Sequence, residues 1–170
     1  MQLGGPNGSG KSSLLRLIAG LGQPGDGELT LKGGEAELSI GQQAHLIGHQ
    51  DAVKTALTVA ENLSFWAGFL GGSDAGTALA AMGLEDLALD RAGLLSEGQK
   101  RRLALARLLM VPRVLWLLDE PDAGLDQAAR ERFSEVMTMH LGQGGMIIAA
   151  THVPLGLAPQ VRLDLGGLRP

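Results

Sequence analysis

Residues 5–12 read Gly5-Pro6-Asn7-Gly8-Ser9-Gly10-Lys11-Ser12 and fit the P-loop pattern G-x-x-x-x-G-K-S. Glycine tolerates positive φ, so successive amide groups of such a loop can converge on a phosphate. The apolar spacing of residues 14–18 predicts a helix directly after the loop, with its positive end toward the anion. The loop and the first helical turn therefore predict a nucleotide site, formed by Gly5, Pro6, Asn7, Gly8, Ser9, Gly10, Lys11, Ser12 and Ser13. A chance glycine turn before a helix is the alternative.

The two functional side chains of this motif have distinct predicted roles. Lys11 is expected to reach the β- and γ-phosphates, and the Ser12 hydroxyl is expected to bind Mg²⁺. The predicted ligand is thus a nucleotide with its magnesium ion.

Apolar runs alternate with helical patterns in the second half of the chain. Residues 114–118 and 146–150 are apolar runs, while residues 99–109 and 127–141 have helical spacing. Such alternation predicts an α/β fold with a mostly parallel, buried sheet. Residues 1–3 leave only a strand stub before the P-loop, where a strand of about 5–6 residues is expected. We therefore expect N-terminal strand structure to be missing.

The first half of the chain is predicted to be mostly β until a helical insert begins. Residues 28–31, 36–40 and 45–48 alternate like strands, and residues 57–94 have helical spacing. We therefore predict one domain spanning residues 1–170, with a P-loop core at 1–56 and 95–170 and a helical subdomain at 57–94.

Two carboxylates follow the apolar run at 114–118. Asp119 and Glu120 are expected at the carboxyl end of a parallel strand, where ligands bind in open α/β sheets. Asp119 suits the Mg²⁺ shell, and Glu120 suits a general base that orients the attacking water. The alternative is an acidic loop that caps a helix.

A further segment, Leu95-Ser96-Glu97-Gly98-Gln99, precedes a helix. Ser96 and Gln99 have the spacing of a capping box, which is its simplest interpretation. A helix cap and an anion site share the same free amide groups at a positive helix end. The segment alone does not decide between them.

The order of these motifs resembles the ATP-binding domains of ABC transporters over nearly the whole chain. The elements that carry the resemblance are the P-loop, Gln50, Leu95 to Gln99, Asp119-Glu120, Ala123-Gly124-Leu125-Asp126 and His152.

The resemblance implies a head-to-tail dimer that encloses two ATP molecules. Ser96 and Gly98 would contact the γ-phosphate bound by the partner, and Asp126 would lie in a loop at the dimer interface. Gln50 would contact Mg²⁺ or the attacking water and relay nucleotide state to a membrane partner. His152 would contact the γ-phosphate. The catalytic residues implied are Glu120, His152 and Gln50, with Ser12, Gln50 and Asp119 around Mg²⁺.

Two further segments are similar to the ATP-binding subunit family of haem exporters in cytochrome c maturation. They are Gly48-His49-Gln50 and Phe65-Trp66. This resemblance implies a peripheral ATPase on the cytoplasmic side of a bacterial inner membrane, which acts with a second copy and with integral membrane subunits. Neither nucleic acid nor directly bound haem is expected as a ligand.

Composition excludes several other classes. The chain has no cysteine, which rules out disulfides, thiolate metal sites and cysteine nucleophiles. Its net charge of −4 argues against a broad nucleic-acid surface. Alternatives that stay open are another ABC transporter subunit, a soluble ABC-type ATPase acting on nucleic acid, a P-loop kinase and a truncated, non-hydrolysing binding module.

One departure from the family pattern concerns adenine. ABC domains usually carry an aromatic residue upstream of the P-loop, on which adenine stacks. In this chain all five aromatic residues follow the loop, and tyrosine is absent. No residue of the sequence is therefore assigned to adenine stacking.

Overall fold

The P-loop sequence folds as strand, loop and helix in the computed structural model, which describes residues 1–70, 72 and 74–167. Strand β1 spans Gln2–Gly4, and helix α1 spans Lys11–Ile18. Gly5, Gly8 and Gly10 between them all have positive φ, of 126°, 81° and 93°. Because side-chain-bearing residues rarely adopt these angles, the glycines of the motif are what permits the turn.

A parallel sheet of five strands contains β1. The other strands are β2 (Ala44–Ile47), β3 (Leu115–Asp119), β4 (Met146–Ala150) and β5 (Arg162–Asp164), in the spatial order β2-β3-β4-β1-β5. Every neighbouring pair is parallel. All five carboxyl ends therefore lie along one edge, as predicted for this fold class.

The chain divides into two compact units. The first comprises residues 1–49, 113–121 and 140–170 and contains the whole sheet. Its core is formed by Leu3, Leu15, Leu115, Leu117 and Ala150, all fully or almost fully buried. The alternation of side chains on β3 and the spacing along α1 place these residues together.

The second unit comprises residues 50–112 and 122–139. It contains α2 (Val59–Leu70), α3 (Ala75–Ala81) and α4 (Glu97–Ala106), which pack against one another, and most of α5 (Gln127–Gly142). Asp74 caps α3 by accepting from the Thr77 amide. The predicted insert falls within this unit, except that positions 71 and 73 lie outside the described residues.

Two predicted strands, at residues 28–31 and 36–40, are wrong. Both segments are turns and irregular backbone, mostly exposed. Near the second segment the side-chain amide of the buried Gln43 binds the backbone instead: its oxygen accepts from the Glu35 amide at 2.6 Å, and its nitrogen donates to the carbonyls of Glu35 and Leu38 at 2.9 and 3.0 Å. A side chain thus replaces the ladder hydrogen bonds that a neighbouring strand would supply.

Strand β5 was not predicted, although residues 161–165 alternate between apolar and polar side chains. It is three residues long and exposed, and it lies at the edge of the sheet. Within the described residues, no helix has the length and apolar character needed to cross a membrane.

Candidate functional site

The P-loop lysine lies inside its own loop. Lys11 is 8% exposed, and its Nζ donates to the carbonyl oxygens of Gly5 at 2.8 Å and Pro6 at 3.0 Å. Burial of an ammonium group requires such acceptors. Its two contacts hold the ammonium group against the backbone of the loop that is predicted to bind phosphate.

The first turn of α1 leaves donors for an anion. Gly10 occupies the N-cap in a left-handed conformation and has no side chain, so no side-chain oxygen takes the first amide groups. Those groups carry the positive end of the helix dipole. Ser9 Oγ is buried and has no hydrogen-bond partner among the described residues. Both observations fit a loop that binds phosphate.

The predicted carboxylates leave the same sheet edge as the P-loop. Asp119 is in register with Ala150, and Ala150 is in register with Leu3 on its other side. The P-loop and the β3 carboxylates therefore begin at one level of the sheet. This placement follows from the parallel order of β3, β4 and β1.

Glu120 has an unusual backbone conformation. Its φ is +46°, and its amide donates to the Ala150 carbonyl at 2.8 Å. A positive φ is rare for a residue with a side chain and costs of order 1–3 kcal/mol. The hydrogen bond to β4 holds Glu120 at this turn, immediately after the strand ends. Sequence reasoning did not predict this strain.

The structure brings Glu120 and His152 together. His152 Nε2 lies 3.5 Å from Glu120 Oε1, and both side chains are partly open to solvent. Thr151 fixes the turn that carries His152, because its hydroxyl accepts from the Val153 amide and donates to the Val153 carbonyl, both at 3.1 Å. Thr151 was not among the predicted site residues, although a threonine directly after a strand is a turn signal.

The segment from Leu95 to Gln99 forms the capping box that its spacing predicts. The Ser96 hydroxyl accepts from the Gln99 amide at 3.2 Å, and the Gln99 side chain accepts from the Ser96 amide at 2.8 Å. The hydroxyl of Ser96 keeps its own hydrogen to donate. The cap is therefore compatible with a contact to an anion.

In the second unit, two predicted motifs approach each other closely at Gly98 and Gly124. A Cβ on Gly98 would lie 2.7 Å from the carbonyl oxygen of Gly124. Only glycine fits there. Asp126, two residues further on, caps α5 by accepting from the Ala129 amide at 2.8 Å. The cap predicted for Asp126 is thus present, and its place at a dimer interface stays a prediction.

Gln50 belongs to the second unit and is exposed. The predicted site residues are divided between the two units. The first unit holds the P-loop, Asp119, Glu120 and His152, and the second holds Gln50, Leu95 to Gln99 and Asp126.

The first unit offers oxygen donors that suit Mg²⁺. Ser12 offers an exposed hydroxyl at the start of α1, and Asp119 offers a carboxylate at the end of β3. These are the oxygen ligands that Mg²⁺ prefers, and the ion normally completes its shell with water and phosphate oxygens. No group of three or more acidic, histidine or cysteine side chains in the described residues could hold a metal by itself. The residues thus fit Mg²⁺ that arrives with a nucleotide.

The fold and the motif order together define a class of protein. Residues 1–123 match the family model described as ABC transporter. The structure is similar to an ABC transporter ATP-binding protein from Pyrococcus furiosus, with a TM-score of 0.80, 25% identity and coverage of 96% of this chain and 82% of that one. It is also similar to a dimeric ATP-binding cassette in a post-hydrolysis state bound to ADP and Pi, with a TM-score of 0.75, 25% identity and coverage of 89% and 74%.

Relatives in sequence show to which group of ABC transporter proteins the chain belongs. The chain is 56% identical over 165 residues to the cytochrome c biogenesis ATP-binding export protein CcmA of Nitrobacter winogradskyi, covering 96% of this chain and 82% of that one. It is 55% identical over 166 residues to the protein of the same name from Bradyrhizobium diazoefficiens, with the same coverage. The chain belongs to the ABC transporter family and, within it, to the ATP-binding export proteins of cytochrome c biogenesis.

Three predictions from the motif order are thereby confirmed. The fold is that of an ABC-type P-loop domain. The protein is an ATP-binding subunit of an ABC transporter, and its activity is ATP hydrolysis coupled to transport.

Proposed function

We propose that this chain hydrolyses ATP to energise haem export, or release of a haem-loaded carrier, during c-type cytochrome biogenesis. The proposal rests on membership of the cytochrome c biogenesis group together with one geometric observation. That observation is the approach of His152 Nε2 to Glu120 Oε1, at 3.5 Å, on the sheet edge where the P-loop begins.

The phosphate chain of ATP would lie over residues 5–13. The amide groups of the loop and of the first turn of α1 would bind the β-phosphate, and Lys11 would exchange part of its contact with Gly5 and Pro6 for phosphate oxygens. Ser12, Asp119 and Gln50 would hold Mg²⁺, and the bound ion would supply positive charge against the β- and γ-phosphates.

Glu120 would accept the proton of the attacking water. Its carboxylate is partly exposed, and its strained turn holds it at the strand end. His152 would contact the γ-phosphate and orient the Glu120 carboxylate. A positioned base of this kind contributes about 10²–10⁴-fold to rate.

A second copy of the chain would complete each site. Ser96 and Gly98 of one copy would contact the γ-phosphate bound by the other, so ATP would favour the closed dimer by linkage. Integral membrane subunits of the cytochrome c maturation system would receive the movement, with this chain on the cytoplasmic side of the inner membrane.

Complementation tests the proposal. A strain that lacks the gene is expected to lose c-type cytochromes, and the wild-type gene should restore them while Lys11→Ala should not. Arg16→Gln is a matched control, because it removes a charge from the other end of the same helix. Restoration by Lys11→Ala, or a deletion strain with normal c-type cytochromes, would refute the proposal.

A further inference from the structure

The residue after Gln50 is tied to the helix that begins after Ser96. Arg101 Nη1 donates to Asp51 Oδ1 at 2.7 Å, and the two side chains are 4% and 20% exposed. Arg101 lies in the second turn of α4, whose first residue is Glu97. A partly buried ion pair between residues 50 positions apart therefore joins the segment after Gln50 to the helix that carries the Ser96 motif.

The Asp51 carboxylate also influences the pKa of a second guanidinium group, that of Arg107. Burial lowers the pKa of Arg107 to about 10; the Asp51 charge opposes this lowering and the Arg101 charge adds to it. The Arg107 guanidinium lies over the Trp66 ring, 4.7 Å from its centroid. The Asp51 carboxylate thus pairs with the buried Arg101 and also favours the charged form of the partly buried Arg107.

The segment that follows Gln50 is also held by the side chain of Asn62, in α2. Asn62 accepts from the Lys54 amide at 2.8 Å and donates to the Lys54 carbonyl at 3.0 Å. Between these two attachments Ala52 has a φ of +52°. A non-glycine residue keeps such a conformation only where its surroundings enforce it. Asp51 and Asn62 therefore determine the backbone path directly after Gln50.

We propose that Asp51 and Arg101 are positioning residues, which make the place of Gln50 depend on the helix that carries the Ser96 motif. This inference rests on the proposed function, because the roles of Gln50 and Ser96 in ATP hydrolysis belong to it. Within a dimer each chain would use Gln50 at its own nucleotide and Ser96 at its partner's. The ion pair would then connect one ATP site to the other.

Steady-state ATPase kinetics of the full chain test the pair. Asp51→Asn keeps the shape of the side chain and removes its charge, and Arg101→Gln removes the opposite charge. Each is expected to lower kcat about 10–100-fold, as loss of an outer-shell partner does, and to raise the half-saturating Mg²⁺ concentration. The KM for ATP should stay within about twofold, because the interaction lost acts on the transition state.

Three comparisons separate positioning from general damage. The double variant should lose no more than the more damaging single variant, since both substitutions remove the same Asp51–Arg101 interaction. Arg101→Lys, which keeps the charge, should recover part of kcat. Lys100→Gln, which breaks the exposed neighbouring pair with Glu97 at 2.8 Å, should leave kcat unchanged. Additive losses, equal losses in Lys100→Gln, or parallel changes in KM and kcat would overturn the proposal.

Hydrogen exchange of the nucleotide-free protein gives a readout without hydrolysis. Asp51→Asn should speed amide exchange in peptides that cover residues 50–57 and leave β3 unchanged. Unchanged exchange at residues 50–57 would overturn the link. A wild-type chain that fails to hydrolyse ATP would refute the proposed function instead, and exchange would still decide whether the link exists.

Discussion

Trp116 and His140 lie face to face, with ring centroids 3.8 Å apart and planes 6° from parallel. Trp116 is buried in β3, and His140 is near the end of α5. His140 Nε2 lies 3.3 Å from the Met146 carbonyl oxygen. The stack thus fixes the turn between α5 and β4. This turn lies at the amino ends of the strands, whereas the P-loop lies at their carboxyl ends.

Stability should depend on pH through His140. Burial lowers its pKa, while the backbone carbonyls of Met146 and Val114 oppose this effect. Since the unfolded chain then binds the proton more readily, His140 contributes stability above its unfolded pKa of about 6.5. That stability is lost as pH falls from this value through the lower pKa of the folded state. His140→Phe keeps an aromatic ring and removes the titration. The drop in melting temperature between pH 7.5 and pH 5.5 should be smaller in this variant, and an equal drop would contradict the assignment.

Substitution of Gly145 should lower the stability of the protein, because the His140 ring lies against this position. A Cβ at this position would overlap the ring atoms of His140. Overpacking of this kind typically costs about 1–3 kcal/mol, so Gly145→Ala should lower the free energy of unfolding by that amount. Gly142 is the control, since nothing lies within 4 Å of its Cβ position and its φ is not positive. Denaturant titration of both variants measures the difference, and equal stabilities would show that the ring moves aside freely.

Sequence periodicity predicted the buried elements well. Strand β4 has the predicted bounds, and β3 is displaced by one residue, because long apolar runs have few alternatives to a buried strand. The strands predicted at residues 28–31 and 36–40 were wrong because alternation in an exposed segment needs a partner strand to form a ladder. Near the second segment the Gln43 side chain binds the backbone of Glu35 and Leu38 instead.

The candidate site was predictable in its composition and less so in its geometry. Motif order identified Glu120 and His152, whereas their approach to 3.5 Å depends on strand register. The positive φ of Glu120 has no signal in the sequence. The Asp51–Arg101 pair joins residues 50 positions apart, and no local pattern predicts such a contact.

Glu120→Gln should separate ATP binding from hydrolysis. The amide keeps the shape of the side chain but cannot accept the proton, so kcat should fall about 10²–10⁴-fold. ATP binding should persist because the P-loop contacts are untouched, and the ATP-bound dimer should accumulate. Phosphate release measures the first effect and light scattering the second. Unchanged turnover would exclude Glu120 as the general base.

Gly98→Ala should impair hydrolysis without loss of the P-loop. The new Cβ would lie 2.7 Å from the Gly124 carbonyl oxygen, which is backbone and cannot rotate away. The helix that starts after Ser96 and the loop that leads to Asp126 must then separate. This displaces the Ser96 motif, predicted to contact the partner's nucleotide, and the Asp126 loop, predicted to lie at the dimer interface.

We therefore expect ATP-dependent dimerisation to weaken at least about tenfold, since the displaced contacts are made only in the dimer. Binding of ATP to the isolated chain should stay near the wild-type value. Gly68→Ala in α2 is the control: its Cβ position is open, and it should stabilise the helix by about 0.5–1 kcal/mol with no effect on dimerisation. Sedimentation of both variants with and without ATP measures the effect, and wild-type dimerisation of Gly98→Ala would mean that the Gly98–Gly124 approach has no role in closing the site.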